Sequence, residues 1–362
     1  MSNYPGRPGL QQRVLPAYRV PFFDLLAESC TGGMSLFAGN PRPDEMIASG
    51  VLQISKFTQA HNIHLFGGPL YVCYQRGLMS WLKEWNPDSL IVEANPRYLA
   101  TPSAVRWMHA RGRKVLGWGL GAPALNPSQS WGGNKRRITF INQFDGMISY
   151  SQRGAQEYAA LGFPREKIFV APNAVSPAPV RSPDHGRRAM DRATILFVGR
   201  LQARKRVDHL LRACSEIDPN PRLIIVGNGP ERARLQSLAQ QIYPAAEFTG
   251  EKHGEELIPF FAETDLFVLP GTGGLAVQQA MSHGLPVIVA QGDGTQDDLV
   301  RAGNGWQIPA EDYPALLAAM KNALSDMARL RKMGAESFRI VAEEINIQRM
   351  ADAFVNALNS IG

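Results

Sequence analysis

Cysteine is scarce in this chain: Cys30, Cys73 and Cys214 are the only three in 362 residues. An odd number, widely spaced and with no C-x-x-C pair, indicates neither a disulfide framework nor a zinc site, and reads as reduced, mostly buried thiols. Long apolar runs are also missing. No stretch approaches the ~20 apolar residues that span a bilayer, and the opening MSNYPGRPGLQQRVLPAYR has no apolar core of signal-peptide length. The expectation is a cytoplasmic protein, peripheral to a membrane at most. No tandem repeat or low-complexity tract is visible, so neither an array nor a disordered architecture is indicated.

What is present is a long and moderately apolar chain, 44% hydrophobic, enough for two domains that each bury a core. The formal net charge of +6 points to anionic partners without choosing among them. Much of the excess sits in Arg106, Arg111, Arg113 and Lys114, then Lys135, Arg136 and Arg137. Two readings stand for these runs: solvated helix faces, or a surface that rests on an anionic membrane or lipid-linked molecule. Nucleic acid is not expected, because aromatic residues are not interleaved with the basic runs.

Short apolar runs recur, each followed by a turn and a helix-like stretch: MSLFAG, SLIVEANP, KVLGWGLG, GMISYS and KIFVAPN, then TILFVGR, RLIIVGNG, DLFVLPG and PVIVAQG. Continuous apolar strands alternating with helices predict parallel sheets covered on both faces, here in two successive α/β domains. Ala171 to Ala193 is rich in proline and arginine and has neither periodicity, so residues 173–193 are expected to link a domain over 1–172 to one over 194–340. The spacing of Ile340, Val341, Ile345, Ile347, Met350, Phe354, Val355 and Leu358 predicts one amphipathic helix closing the chain. Ligands of open parallel sheets bind outside the carboxyl ends of the strands, which makes strand-end residues the candidates.

Three such ends stand out. In FVGRLQARKR, Gly199 lets backbone approach a ligand, and Arg200 and Lys205 form a two-cation clamp suited to a diphosphate. IIVGNGPERARL offers Gly227 but carries Arg232 where a dinucleotide turn needs a small residue. In LPGTGGLAVQQAMSHGLPVIVA, Thr272, Gly273, Gly274, Leu275 and Ala276 form a glycine turn opening a helix, whose free N–H groups suit phosphate oxygens. Gly271, Gly273 and Ala276 also fit the G-x-G-x-x-A spacing of an NAD site, with Asp293 as ribose acid, although only GWQI follows PVIVA as a further strand.

Taken in order, VGRLQARK, LIIVGNGPER, EFTGEKHGEEL and GLAVQQAMSHGLPVI resemble the donor-binding half of GT-B glycosyltransferases of the large retaining family 4. The likeness covers residues 167–358 well and the first half loosely. It implies an α/β GT-B fold, two Rossmann-like domains whose parallel sheets face across a cleft, with residues 341–362 crossing back to the N-terminal domain. It further implies a nucleoside diphosphate sugar as substrate, no cofactor, retention of anomeric configuration, and a hydroxyl acceptor on a saccharide, lipid-linked or small molecule. Thr249 falls where such enzymes approach the base. No D-x-D pair occurs, so the metal site of the other large glycosyltransferase fold is absent, and Arg200 and Lys205 are expected to stabilise the leaving diphosphate.

One departure stands against the likeness. The family's pair of glutamates, eight positions apart, is replaced by Gly271 and Gln279. Gln279 retains a carbonyl acceptor for ribose hydroxyls, whereas Gly271 leaves the contact to the donor sugar unfilled. Two alternatives therefore stay open: a non-catalytic subunit of the same fold that binds nucleotide sugar or glycan, and an NAD-dependent enzyme. On the acceptor side, strand ends put forward Tyr18, Arg19, Asn95, Arg97 and Trp118, with Glu93 to hold or activate the attacking hydroxyl or, with Asn95, merely to cap a turn. His109 reads as an ordinary helix residue.

Overall fold

A computed structural model describes residues 3–45, 47–122, 131–180 and 192–362. The chain forms two compact units. One comprises the chain up to Val175 together with Ile347–Gly362, and the other is Ser176–Asn346. The chain passes between them at 175/176, within the segment expected to link two domains, and again at 346/347; residues 181–191 of that linker lie outside the described residues.

The first unit holds β1 (Pro8–Val14), β2 (Ser35–Gly39), β3 (Lys56–Leu65), β4 (Val72–Arg76), β5 (Ser89–Glu93), β6 (Lys114–Gly119), β7 (Gly146–Ser149) and β8 (Ile168–Val170), in the spatial order β4-β3-β2-β1-β5-β6-β7-β8. The second holds β9 (Thr194–Val198), β10 (Arg222–Val226), β11 (Glu247–Gly250), β12 (Leu266–Leu269), β13 (Val287–Ala290) and β14 (Gly305–Ile308), in the order β11-β10-β9-β12-β13-β14. Every pairing is parallel except β3 with β4, an antiparallel hairpin at the sheet edge.

In each sheet the chain winds outward from one central strand and then returns to wind the other way. The reversal lies between β1 and β5 in the first unit and between β9 and β12 in the second. Loops leaving the carboxyl ends of such a pair diverge to opposite sides and leave a crevice where ligands bind. The fold therefore singles out the segments after Val14, Glu93, Val198 and Leu269.

Helices cover the sheets with apolar stripes at helical spacing. In Val207–Ser215 the buried side chains include Val207, Leu210, Leu211 and Cys214. The end of the chain is two helices, Met327–Glu343 and Ile347–Ile361, instead of the single one the spacing predicts. The break is held by Asn346, whose Nδ2 donates to Val341 O at 2.8 Å and Ala342 O at 3.2 Å, satisfying carbonyls that a continuing helix would have used. The last helix packs on Val20–Glu28, with the Phe22 and Phe354 rings edge to face at 5.0 Å.

Candidate functional site

On one side of the reversal point of the second unit, the loops after β9, β10 and β11 are joined through backbone. Gly199 N donates to Val226 O at 3.0 Å, Leu201 N to Asn228 O at 2.8 Å, and Gly227 N to Gly250 O at 2.7 Å. A Cβ on Gly227 would overlap Gly199 O, and one on Gly229 would overlap Leu201 O, so glycine is required here by the close approach of neighbouring loops. Thr249 lies half-buried beside this junction, its hydroxyl near Gly250 O at 3.4 Å.

The loop after β9 reaches the glycine turn after β12 in the same way. Thr272 N donates to Arg204 O at 3.2 Å, and Arg204 Nη1 donates back to Thr272 O at 2.9 Å. Lys205, only 5% exposed, donates from Nζ to Thr272 O at 2.9 Å and to Gly273 O. Burial, with the Arg204 charge adding to it and Asp293 opposing it, pushes the ammonium down to about 8. The lysine's two hydrogen bonds thus go to neutral carbonyls, and an anion at this turn would be a stronger partner than either. Gly273 sits in the left-handed region at φ 69°, which shapes the turn that leads through Gly274 and Leu275 into the helix Ala276–Ser282.

Gly271 is closed to any side chain, since its Cβ would overlap Arg204 O and the backbone of Lys205. The position of the resembled family's first glutamate has therefore been given over to loop packing. Gln279, at the second position, is half-buried on the Ala276–Ser282 helix. Its neighbour Gln278, 1% exposed, accepts from Ser176 N at 3.0 Å and donates to Ile345 O at 2.8 Å. The dinucleotide alternative loses its two supports: Gly271 is explained by packing, and the Asp293 carboxylate is engaged at 3.1 Å by Thr295 N and at 2.6 Å by Thr295 Oγ1, a turn of the local chain.

The reversal point of the first unit brings Glu93 to the end of β1, where its carboxylate accepts from Arg13 N. Burial pushes Glu93 up to about 7, against the Arg13 amide and the charges of Arg13 and Arg19. Around it runs a polar network absent from the sequence reading. Glu93 N donates to Gln11 Oε1 at 3.2 Å, Gln11 Nε2 donates to Gln75 Oε1, and Gln75 Nε2 donates to Gln12 O and Asn62 Oδ1, each at 3.0 Å. Arg13 pairs with Glu45 at 2.9 Å.

Two residues expected on the acceptor side are internal. Trp118 is 1% exposed and packs against Phe354 at 4.9 Å, Tyr150 at 5.0 Å and Phe22 at 5.9 Å, so it is core, not a ligand platform. Arg19 is 6% exposed and is spent on its own chain, donating to Ala174 O at 3.2 Å, Asn173 Oδ1 and Met350 Sδ. Asn95 forms a turn, its Oδ1 accepting from Arg97 N at 3.0 Å. Tyr18 and Arg97 are exposed. His109 Nε2 lies 2.9 Å from Asp145 Oδ2, and the basic run beside it is locally engaged, Arg113 Nη1 donating to Asn86 Oδ1 at 2.6 Å. Among the described residues no group of three or more His, Cys, Asp or Glu is arranged to hold a metal, and no helix is long and apolar enough to cross a membrane.

Residues 182–339 match the family model described as "Glycosyl transferases group 1". The chain is 40% identical over 122 residues to a GDP-mannose-dependent alpha-mannosyltransferase of Mycobacterium tuberculosis, 32% of this chain and 30% of that protein. It is 26% identical over 238 residues to the GDP-mannose-dependent alpha-(1-6)-phosphatidylinositol monomannoside mannosyltransferase of Mycolicibacterium smegmatis, 60% of this chain and 61% of that one. The matches span 30%, 42% and 35% of the length of the first three curated relatives. Among solved structures, Anabaena HepE in complex with UDP matches with a TM-score of 0.74 at 15% identity, over 99% of this chain and 100% of that one. The lipopolysaccharide outer core galactosyltransferase WaaB matches at 0.71 and 17%, over 98% and 99%. These likenesses show the fold, GT-B, with its two Rossmann-like units.

Proposed function

We propose that this protein is a glycosyltransferase that moves a sugar from a nucleoside diphosphate sugar to a hydroxyl acceptor. The observation that carries the reading is Lys205: a buried ammonium at the reversal point of the second sheet, beside Arg204, held by two carbonyls of a glycine turn. Breaking the bond between the anomeric carbon and the β-phosphate leaves positive charge on the sugar and negative charge on the phosphate. Arg200 and Lys205 stabilise the departing diphosphate in the role that a metal plays elsewhere. Thr272 through Ala276 and Gly199 border the phosphates, while Gly227 and Thr249 line the approach to the base and Gln279 accepts from the ribose.

With retention of configuration the acceptor oxygen bonds to the face the phosphate leaves. The departing phosphate oxygen is then the nearest base for the acceptor's proton. In the first unit Glu93 binds the acceptor's hydroxyl groups, with the exposed Tyr18 and Arg97 as further contacts. Several relatives are named for GDP-mannose, and neighbours of the fold are solved with UDP, so both bases belong in any test. The relatives named for phosphatidylinositol mannosides support a lipid-linked saccharide as one acceptor class, with peripheral membrane contact following from it.

The test is to incubate the protein with UDP-, GDP-, dTDP- and ADP-sugars, measuring nucleotide release with saccharide, lipid-linked and small-molecule acceptors and reading the product's anomeric configuration by NMR. Transfer with retention from one nucleotide class is the expected result. Tight nucleotide binding without release or transfer from any donor would replace the enzyme by a non-catalytic subunit of the same fold.

A further inference from the structure

The chain passes between the two units twice, from Val175 to Ser176 and from Asn346 to Ile347. One side chain in the second unit holds both passages. Gln278 Oε1 accepts from Ser176 N at 3.0 Å, and its Nε2 donates to Ile345 O at 2.8 Å, joining positions 102 and 67 residues away in sequence. Gln278 is 1% exposed, and a buried carboxamide that loses either partner leaves an uncompensated polar group. The first unit holds the same two passages on its own side through Arg19, which donates to Ala174 O, Asn173 Oδ1 and Met350 Sδ.

Gln278 stands on Ala276–Ser282, two turns of helix that continue directly from the glycine turn whose Thr272 and Gly273 carbonyls hold Lys205. An anion bound by Lys205 and by the N–H groups of the turn shifts the turn and orders it, and a helix this short moves with the turn that begins it. We propose that Gln278 is a positioning residue that couples occupancy of the donor site to both passages between the units. The inference rests on the donor-site reading above. Because both hydrogen bonds belong to one side chain, the two passages respond together.

Hydrogen exchange of the full chain, with and without saturating UDP or GDP, tests this. In the native protein nucleotide is expected to slow exchange in peptides covering 199–206 and 272–277 and also in those covering 174–178 and 343–348. In Gln278→Leu the first two regions keep their nucleotide-dependent protection, and the last two lose about fivefold to tenfold of it. Gln278→Glu keeps the acceptor for Ser176 N but not the donor for Ile345 O, so it uncouples 343–348 while 174–178 still responds. A merely structural role would not produce that split, and Gln278→Glu carries the test alone where Gln278→Leu does not fold. Protection at 199–206 and 272–277 in the native chain with none at the passages overturns the coupling, as does unchanged coupling in both variants. Absence of protection at 199–206 and 272–277 by either nucleotide overturns the donor-site reading, and the coupling with it.

Discussion

Restoring the glutamate that the resembled family carries at position 271 should damage this protein. The Gly271 Cβ position overlaps Arg204 O and the backbone of Lys205, so even alanine must displace main chain, which yields far less readily than the tip of a side chain. Overpacking of this kind costs about 1–3 kcal/mol, and Gly271→Glu adds a carboxylate with no room to reach solvent. For a unit of this size about 2–4 °C of melting temperature is lost per kcal/mol. Displacing the Ala203–Lys205 turn also breaks the Thr272 N to Arg204 O bond and moves Lys205 off the glycine turn, so nucleotide affinity falls as well. Thermal unfolding and nucleotide titration of Gly271→Ala and Gly271→Glu measure both effects. A Gly271→Glu protein as stable as the native one, with raised turnover, would show that the turn yields easily and that glycine is not required there.

Lys205 and Glu93 set opposite pH limits. Lys205 is charged only below about 8, so affinity for a diphosphate should fall as pH rises through that value, and binding above it should take up a proton, seen as buffer-dependent heats in calorimetry. Glu93 becomes a carboxylate only as pH rises through about 7, so kcat/KM for the acceptor should fall on the acid side of that value through a higher KM, and Glu93→Gln should abolish that limb of the profile. The stability sign for Glu93 is the reverse of a paired acid, because a carboxyl raised by burial costs stability as pH climbs from the ordinary carboxylate range toward 7. Trp118→Ala should destabilise the first unit by about 3–5 kcal/mol, and Trp118→Phe should restore most of it without changing acceptor preference, measured by denaturant unfolding beside transfer assays.

Much of the second unit was legible because its strands are continuous apolar runs and its loops carry glycines where backbones meet. Gly227 and Gly273 were singled out from spacing, and the structure supplies reasons in the overlap with Gly199 O and the left-handed turn. Strand β1 was hidden because a central strand was not expected to bury Gln11 and Gln12; Gln11 finds its side-chain partner in Gln75, far along the chain. The β3–β4 hairpin was hidden because its alternation is interrupted by polar residues and its partner runs antiparallel. Trp118 and Arg19 were misplaced for different reasons. For Trp118 a strand-end position fixes height along the sheet but not which face the side chain takes; Arg19 lies beyond β1 in the helical turn Ala17–Arg19; and both turn toward the helix Ile347–Ile361, which returns from the end of the chain. Gln278 lay beside the motif position at Gln279, but nothing local signals that it reaches Ser176 and Ile345.

The proposed diphosphate site consists of Arg200, Lys205 and the glycine turn. The most direct test is the thermal shift of the native protein and of Arg200→Ala with UDP, GDP, dTDP and ADP sugars and with NAD, since a ligand at 100 times its Kd adds about 2.7 kcal/mol. Stabilisation by one nucleotide-sugar class is expected, with affinity reduced at least about tenfold by Arg200→Ala. Stabilisation by NAD alone, or a nucleotide-sugar shift that Arg200→Ala leaves unchanged, would contradict it.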